Sequence, residues 1–567
     1  MNERISAAFR AIAEVGRPEV WIGLHEPEDV GGGDPGPLSG LVLAVKNNVG
    51  VAGFATTAGC PSYSETPAAQ DSQAVGRLRA DGAAVIGVTN LDQFATGLVG
   101  QRSPHGGVRD ARRPSHISGG SSSGSAVAVA LGLADLAIGT DTAGSGRIPA
   151  ALQGIVGIKP TLGVVSTDGV VPACRSWDAV TIFARDLGTA SLAMASMAGG
   201  PNTRTWPADI PLAAPPNARV AVPDQLPGLA PGYAEAFEAA VERLRAGGCT
   251  VETIPFETFL TAATLLYDGA LVAERHAAVG EFVESGAPDL DPTVAAIISK
   301  AGRHTASAMV RDLARLEELR QTSMSTLAGF HALLVPTAPG HPSIAEVAAD
   351  PVGVNSWMGT YTNFCNLFDL CAVAVPSGTA GEDQFGVTVL ARPFHDAVAL
   401  DLAERVQLLT DSVAAAGAAP ARETVVPWPP VNTEQLLVVG AHLKGQPLAR
   451  ELEALGARWA GPARTAPAYT LSALDTVPPK PGLERVGPGG SSIVGELWEL
   501  STGALGAFLA GLPAPMNLGR VELDNGSWVA GFGCTVEAAR AGKDITEHGG
   551  WLAYLGFTRS SGAPTRA

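Results

Sequence analysis

The chain has 567 residues, of which 46% are hydrophobic and only 16% are charged, with 68 Gly and 42 Pro. This length predicts about two to four domains with sizeable cores, and the composition excludes a disordered or fibrous protein. The formal net charge of -17, from 38 Lys+Arg against 55 Asp+Glu, repels phosphate backbones and anionic membranes. We therefore expect no nucleic acid and no membrane as partner, and a small anionic substrate would need a local cationic pocket.

Cysteine usage and the N-terminus indicate the compartment. The six cysteines have no CxxC or Cys/His metal spacing, which favours free buried thiols over disulfides or zinc. The first residues, MNERISAAFRAIAEVG, are amphipathic and lack the apolar core of a signal peptide. The most apolar stretch, residues 126–138, contains Asp135 and is shorter than the roughly 20 residues of a membrane span. We expect a cytoplasmic protein that uses no metal or other cofactor.

In chain order, the predicted elements form a layered α/β body. From about residue 38 to 195, short β-branched runs (LVLAV, AAVIGV, ADLAIGT) alternate with Gly/Ser turns and Ala-rich helical stretches. Residues from about 230 to 330 are predicted as a helical insert, in which YAEAFEAAVERLRAGG ends in a Gly pair. HALLVPTAP and LCAVAVPSG are predicted as two more buried strands that complete the same sheet.

A smaller C-terminal domain follows. The Pro/Ala-rich segment AAAGAAPARETVVPWPPVN is typical of a semi-rigid linker. Beyond it, LLVVGAHLKGQPL and the short runs VELDNG and WVAGFGCTV predict a small, β-rich α+β domain. The predicted division is residues 1–425, a linker over 426–435, and residues 436–567.

The densest chemical signal is HISGGSSSGSAVAVALGLADLAIGTDTAGSGRIPA, residues 116–150, for which three interpretations compete. A phosphate cradle fits the Gly and Ser amides, but the Lys of a P-loop and a GxGxxG after a strand are missing. A GxSxG elbow is present at residues 120–124, but ARRPSHIS before it does not read as a strand. A plain flexible turn explains the first Gly/Ser cluster and leaves the second one, GTDTAGSGRIPA, unexplained.

The third interpretation joins both clusters to LAVKNNV, which contains Lys46. Together these three motifs resemble the amidase signature family over about 400 residues, and NFCNLFDLCAVAVPSG is similar to a late sheet segment of that family. The resemblance implies an α/β fold with a mixed β-sheet sandwiched between helices. It also implies hydrolysis of an amide by a Ser-Ser-Lys triad without histidine or metal.

The chemistry of such a triad depends on a neutral lysine. A serine hydroxyl is a poor nucleophile until a neighbouring base takes its proton, and burial can lower a lysine pKa from its reference value of about 10.4 far enough for this task. The resemblance implies that Ser145 attacks the amide carbonyl, that Ser121, in a cis peptide, relays the proton, and that Lys46 accepts it. The predicted oxyanion hole is the run of backbone amides of Thr142, Ala143, Gly144 and Ser145.

Neighbouring positions need separate interpretations. Many members of the family carry Lys-Asp where this chain has Lys46 followed by Asn47 and Asn48. Losing a nearby carboxylate favours the neutral amine, so we do not interpret this difference as inactivating. The remaining serines of the first cluster are predicted to be structural: Ser122, Ser123 and Ser125.

The substrate has to be inferred from the insert and the appended domain. Tyr267 and Arg275 are about 80° apart around an ideal helix, so both can face one pocket, although a solvated Arg and a half-buried Tyr are the commoner case. The motifs YxGxxVAxR, FATGLVGxRSPxG and GAHLKGQPL resemble the allophanate hydrolases of the family over nearly the whole chain. The resemblance implies that Tyr267 and Arg275 bind the carboxylate of allophanate, and that the loop around Gly97 lines the pocket.

The C-terminal domain resembles the γ-glutamyl cyclotransferase fold, which in these relatives is linked to decarboxylation of N-carboxycarbamate. His442 is the titratable residue in the GAHLKGQPL turn and is a candidate proton donor. A lone histidine is more often structural, and the product can lose carbon dioxide unaided, so both interpretations stay open.

Two other functions also stay open at this stage. The chain could cleave another small amide, with Arg275 merely structural, or it could be an ammonia-supplying component of an amidotransferase, against which the long C-terminal domain argues. A scaffold protein is disfavoured because all three triad positions are intact. The resemblance further implies a homodimer and a functional link to a biotin-dependent urea carboxylase.

Overall fold

A computed structural model of the chain describes residues 3–31, 34–408, 428 and 431–560. It divides into a first unit of Met1–Thr205 and Asn217–Pro430 and a second unit of Trp206–Pro216 and Val431–Ala567. In the linker predicted over 426–435, residues 426, 427, 429 and 430 lie outside the described residues. The segment Trp206–Pro216 belongs to the second unit, whereas the sequence assigned it to the first domain.

The described residues of the first unit contain one mixed sheet of 11 strands. The strands are β1 (Trp21–Leu24), β2 (Val42–Lys46), β3 (Ala84–Thr89), β4 (Leu136–Asp141), β5 (Val156–Lys159), β6 (Ala179–Ala184), β7 (Arg219–Pro223), β8 (Thr250–Ile254), β9 (Ala332–Pro336), β10 (Cys371–Ala380) and β11 (Asp383–Ala391). Their order in space is β1-β3-β2-β4-β6-β5-β10-β11-β9-β7-β8. The predicted strands LVLAV, AAVIGV, ADLAIGT, HALLVPTAP and LCAVAVPSG all lie in this sheet, as β2, β3, β4, β9 and β10.

Strand β2 determines where the site lies. It pairs in parallel with both β3 and β4, so the C-terminal ends of the three strands meet at one edge of the sheet. All residues of the three strands are buried, which explains why their sequences read as unbroken apolar runs rather than as alternating ones.

Helices flank the sheet, as the fold class predicted. They are α1 (Glu3–Val15), α2 (Gln73–Ala80), α3 (Ser123–Ala130), α4 (Ile148–Gln153), α5 (Leu187–Met197), α6 (Tyr233–Ala246), α7 (Glu257–Asp268), α8 (Ala273–Glu284), α9 (Pro292–Ala301), α10 (Ala306–Thr326), α11 (Ile344–Ala349), α12 (Gly353–Met358), α13 (Phe364–Leu367) and α14 (Asp396–Val406). Helix α3 is buried on every side, so its sequence SGSAVAVA carries small and apolar residues throughout.

The helical insert differs from the prediction in two places. Strand β8 interrupts the helices and pairs in parallel with β7 at the end of the sheet. The helix predicted to carry both Tyr267 and Arg275 is broken: α7 ends at Asp268, a short 3-10 turn covers Ala270–Val272, and α8 begins at Ala273. Gly269 lies at the break in extended conformation, and a Cβ there would lie 2.7 Å from the Leu265 carbonyl oxygen.

The second unit is the β-rich α+β domain that the sequence predicted. Its described residues form a sheet of five strands in the order β13-β16-β12-β18-β17 and one of three in the order β15-β14-β19. The elements are β12 (Thr433–Val438), α15 (Ala449–Ala454), β13 (Arg458–Arg464), β14 (Tyr469–Leu474), β15 (Lys480–Arg485), β16 (Val494–Ser501), α16 (Thr502–Ala510), β17 (Met516–Glu522), β18 (Trp528–Cys534), α17 (Val536–Ala541), β19 (Lys543–Asp544) and α18 (Trp551–Ser560).

The segment Trp206–Pro216 packs closely against this unit. The Leu212 amide donates to the Gly456 carbonyl at 2.8 Å, and the Gly503 amide donates to the Ala208 carbonyl at 2.7 Å. A Cβ added to Gly503 would lie 2.7 Å from that carbonyl oxygen, closer than real side chains come. The glycine therefore lets the segment approach helix α16.

We expect Gly503→Ala to lower the unfolding temperature, because the new Cβ has to displace the Ala208 carbonyl at a cost of about 1–3 kcal/mol. Gly506→Ala, in the same helix, is the matched control, since its Cβ would meet no atom within 4 Å. Replacing a helical glycine by alanine should alone stabilise by about 0.5–1 kcal/mol. Calorimetry of the full chain separates the two, and equal stabilisation by both variants would contradict the packing.

Candidate active site

The site begins at Lys46, the last residue of β2. Its side chain is 0% exposed, and its Nζ lies 2.8 Å from Ser121 Oγ and 2.7 Å from Thr140 Oγ1. Thr140 belongs to the neighbouring strand β4, so the parallel pairing of β2 with β4 brings its hydroxyl to the amine. The sequence interpretation missed Thr140, although it stands five residues before Ser145 in the second Gly/Ser cluster.

The surroundings of Lys46 bring the pKa of its amine close to neutrality. Burial lowers the pKa of Lys46 to about 7, against the opposing charges of three carboxylates and with help from one guanidinium. In order of effect, these groups are Asp92, Asp141, Asp178 and Arg275. The carboxylate that is missing from the sequence directly after Lys46 is therefore replaced by carboxylates from three distant segments. Even so, burial outweighs them.

Asn48 supports this arrangement. Its Nδ2 donates to Thr140 Oγ1 at 3.3 Å and to the Val171 carbonyl at 3.3 Å. Asn47 instead fixes the following loop, because its Oδ1 accepts the Thr57 amide at 3.0 Å. The two asparagines thus orient the surroundings of the amine without adding a charge to them.

Ser121 precedes helix α3 and is 0% exposed, and the Gly120–Ser121 peptide bond is cis, as the family resemblance implied. The other serines tie the helix to its neighbours. Ser122 Oγ donates to the Thr140 carbonyl at 3.1 Å, and Ser125 Oγ donates to the Ile138 carbonyl at 2.8 Å. These bonds agree with the structural role predicted for both residues.

Ser145 lies in the turn between β4 and α4 and is 3% exposed. A buried ion pair shapes this turn: Arg147 donates to both oxygens of Asp141 at 2.9 Å, and both side chains are fully buried. Burial alone would raise the pKa of Asp141, but the charge and hydrogen bonds of Arg147 hold it below the usual value. The turn that carries Ser145 is therefore fixed at both ends by a charged pair.

The predicted oxyanion hole is changed at one position. The Gly144 amide donates to Asp141 Oδ1 at 2.9 Å and is thus already occupied. The amides that remain for a developing oxyanion are those of Thr142, Ala143 and Ser145. Thr142 is itself oriented, because its hydroxyl donates to Asp178 Oδ1 at 2.5 Å.

Tyr267 and Arg275 meet even though they stand on two helices. Arg275 Nη2 donates to the Tyr267 hydroxyl at 3.3 Å, and the guanidinium carbon lies 5.4 Å from the centre of the Tyr267 ring. The single-helix argument behind this prediction was wrong, because the chain breaks at Gly269 between the two residues. The contact itself is present.

Arg275 is a buried cation that forms no ion pair with a carboxylate among the described residues, although the charge of Asp178 acts on it. It is 1% exposed, and its Nη1 donates to Thr96 Oγ1 at 2.9 Å and to the Ala95 carbonyl at 3.3 Å. In the part of the chain that the structure describes, no carboxylate forms an ion pair with it, and its Nε has no hydrogen-bond partner. Its charge also helps to lower the pKa of Lys46, so the guanidinium and the Lys46 amine belong to one electrostatic site.

Gly97 lies against the carboxylate of Asp92, where a Cβ would overlap Asp92 Oδ2. The next amide, of Leu98, donates to Asn355 Oδ1 at 2.8 Å. A glycine is thus required here by packing, and its predicted place in the substrate pocket stays a prediction.

His442 belongs to the second unit and lines a cavity of about 440 Å³. Its ring stacks on Phe532 with a centroid distance of 4.8 Å, and its Nε2 lies 3.0 Å from Glu451 Oε2. Burial lowers the pKa of His442, and the bond to Glu451 opposes this effect. The cavity is also lined by one cationic side chain, Lys480, and by Glu451, and its other walls are largely apolar.

The described residues contain neither a metal-binding cluster nor a membrane-spanning helix. Over residues 3–31, 34–408, 428 and 431–560, no group of three His, Cys, Asp or Glu side chains is arranged to hold a metal ion. Over those same ranges, no helix has the length and apolar character required to cross a bilayer.

Comparison with known families agrees with this geometry. Residues 25–400 match the family described as Amidase, and residues 434–556 match the family described as allophanate hydrolase C-terminal domain. Since the first match covers well over half of the chain, the chain belongs to the amidase family. It is an amidohydrolase that acts on C–N bonds.

Two relatives resemble the chain over nearly its whole length. The chain is 40% identical over 558 residues to the urea amidolyase of Lachancea kluyveri, a match that covers 94% of this chain and 30% of that protein. The chain thus spans less than a third of this relative. It is similar in structure to the allophanate hydrolase of Kluyveromyces lactis, with a TM-score of 0.88 and 36% identity, over 98% of this chain and 96% of that one.

A third relative matches a smaller part of the chain. This protein, a component of the glutamyl-tRNA(Gln) amidotransferase of Symbiobacterium thermophilum, is 32% identical over 420 residues, which cover 66% of this chain and 84% of that protein.

Proposed function

We propose that the chain hydrolyses allophanate, with Ser145 as nucleophile, Ser121 as proton relay and Lys46 as base. The observation that carries this proposal is the 2.8 Å contact between the Lys46 amine and the Ser121 hydroxyl, at a lysine whose burial lowers its pKa to about 7. The amine is therefore partly neutral at physiological pH, and only the neutral form can take a proton.

The reaction follows in two halves. Ser145 Oγ attacks the amide carbonyl while its proton passes through Ser121 to Lys46, and the tetrahedral intermediate collapses as Ser121 passes a proton to the departing ammonia. Water then attacks the acyl-enzyme with the same proton route and releases N-carboxycarbamate. This product takes up two protons as a dianion and decays to two molecules of carbon dioxide and one of ammonia.

The developing oxyanion would be held by the amides of Thr142, Ala143 and Ser145. The Asp141–Arg147 pair and the Asp178–Thr142 bond fix the turn that carries these amides, so the donors need no reorganisation during the reaction. Each donor of this kind contributes about 3 kcal/mol to transition-state stabilisation.

Arg275 and Tyr267 would bind the substrate carboxylate, and the loop around Gly97 would line the pocket. A buried guanidinium without an ionic partner among the described residues is costly unless a ligand supplies the opposite charge. Allophanate supplies that charge on the group that is not cleaved. The name of the Kluyveromyces lactis relative supports the same substrate.

The alternatives receive less support. An ammonia-supplying component of an amidotransferase fits the Symbiobacterium relative, but that similarity covers only 66% of this chain. A hydrolase of neutral amides would leave the buried charge of Arg275 without an anion to bind. The second unit, which matches the allophanate hydrolase C-terminal domain, favours allophanate over both.

The second unit would assist the decay of N-carboxycarbamate, with His442 as proton donor. The support is its cavity of about 440 Å³, in which Lys480 could bind a small carboxylated anion and His442, bonded to Glu451 at 3.0 Å, could pass it a proton. A functional link to a biotin-dependent urea carboxylase is supported by the urea amidolyase relative, of which the chain covers 30%. The homodimer, which the family resemblance implies, stays a prediction, as do the cytoplasmic location and the lack of a cofactor that the sequence led us to expect.

Ser145→Ala should reduce ammonia release by on the order of 10⁴-fold or more, and Lys46→Ala nearly as much, because these residues act as one unit. Ser123→Ala is the control, since the Ser123 hydroxyl makes only a 3.4 Å bond to the Asn90 carbonyl.

In the unmodified enzyme kcat/KM should rise with pH through about 7 and then level off, because the free Lys46 amine is the active form. A rate that falls as pH rises through this range would exclude Lys46 as base.

Arg275→Gln should raise KM for allophanate on the order of 100-fold, because a charge-assisted bond to the carboxylate worth about 3 kcal/mol is lost. Neutral amides such as biuret, assayed with the same preparation, should lose little. Ammonia release from allophanate, biuret, malonamate and glutamine checks this, and an equal loss on all four substrates would count against the carboxylate site.

His442→Asn should leave the first ammonia release unchanged and slow the decay of N-carboxycarbamate, which ¹³C NMR of labelled allophanate can follow. His548→Asn in the same unit is the control, since His548 does not line the His442 cavity. Identical decay in both variants would show that the product decomposes unaided.

A further inference from the structure

Asp92 is a buried carboxylate beside the triad, and the proposed reaction gives it no role. It follows β3, is 0% exposed, and is bonded in three directions. Its Oδ2 accepts the Gly100 amide at 3.0 Å, its Oδ1 accepts the Arg102 amide at 2.9 Å, and its own amide donates to the Ser121 carbonyl at 3.2 Å. One residue therefore connects the loop after β3 to the backbone of the proposed relay.

Two glycines pack directly against this carboxylate. A Cβ added to Gly97 or to Gly120 would overlap Asp92 Oδ2. Gly120 immediately precedes Ser121, so the carboxylate touches the peptide that sets the position of the relay hydroxyl. Any displacement of Asp92 would be transmitted to that peptide, because a close-packed interior leaves no space to absorb it.

The charge of Asp92 acts on Lys46. Among the groups that oppose the effect of burial on the Lys46 pKa, Asp92 has the largest effect, ahead of Asp141 and Asp178, while Arg275 acts in the opposite direction. Asp141 is already paired with Arg147. Burial raises the pKa of Asp92 itself, and the charge of Arg102 with the two bonded amides opposes that rise.

We propose that Asp92 is a positioning residue of the amidase: its carboxylate and amide hold Ser121 beside Lys46, and its negative charge acts on the Lys46 amine. This inference rests on the proposed function, in which Lys46 is the base. It assigns to the loop after β3 a part in the reaction that neither Gly/Ser cluster reveals.

The charge can be tested by NMR of the full chain, because it has only six lysines. Lysine labelled with ¹³C at Cε gives few signals, and the Lys46 signal is identified by its loss in Lys46→Arg. Asp92→Asn should lower the titration midpoint of Lys46 by about one pH unit, because a nearby opposite charge is removed. The acid limb of kcat/KM should move in the same direction.

Asp110→Asn is the matched control. Asp110 is also buried and its Oδ1 also accepts two backbone amides, those of Arg112 at 2.9 Å and Arg113 at 2.6 Å, but it is not among the charges that act on Lys46. The Lys46 midpoint should stay at its original value in this variant. An unchanged midpoint in Asp92→Asn, or an equal shift in both variants, would overturn the proposal.

Gly97→Ala tests the position of the Asp92 carboxylate without changing any charge. It can be measured even if Asp92→Asn does not fold. Its Cβ pushes on the Asp92 carboxylate, so kcat should fall on the order of tenfold to 100-fold, as a misplacement of about 1 Å causes. A kcat equal to that of the original enzyme would overturn the positioning role. The NMR midpoint is measured without substrate, so it remains decisive for Asp92 even where allophanate is not cleaved.

Discussion

In the proposed reaction, all the chemistry depends on the contact between the Lys46 amine and the Ser121 hydroxyl. A lysine in water is charged and cannot accept a proton, so the fold has to remove water and still avoid a full ion pair. Burial lowers the pKa of Lys46, the charges of three carboxylates raise it, and the resulting pKa is about 7. Because this balance lies at neutral pH, each surrounding charge has a direct effect on the fraction of active enzyme.

The parallel pairing of three strands makes this balance possible. Strand β2 lies between β3 and β4, so the residues that follow all three strands come from one edge of the sheet. Lys46, Asp92 and Thr140 are each supplied by a different strand end. An antiparallel arrangement would place one of these ends at the opposite edge, and the amine would lose either its hydrogen-bond partner or its neighbouring charge.

The sequence revealed the residues with unusual local patterns and missed those that act through tertiary contacts. Lys46, Ser121 and Ser145 stand in motifs of Gly, Ser and Lys, and the fully buried strands read as apolar runs. Asp92 and Thr140 stand in ordinary sequence, and only the pairing of strands brings them to the amine. Residues 206–216 were misassigned for a related reason, because a segment that joins another unit through backbone bonds needs no distinctive side chains.

The charge of Arg275 connects substrate binding to the base. The protein carries a net charge of -17, yet this guanidinium is buried among neutral oxygens of Ala95, Thr96 and Tyr267. Without an anion its charge helps to keep the Lys46 amine neutral. In the proposed complex a substrate carboxylate offsets that charge, so the amine becomes a stronger acceptor for the Ser145 proton, while the pH above which it is neutral rises. A neutral amide would leave Arg275 unpaired and would not produce this change, so the same cation that selects the substrate also adjusts the base to it.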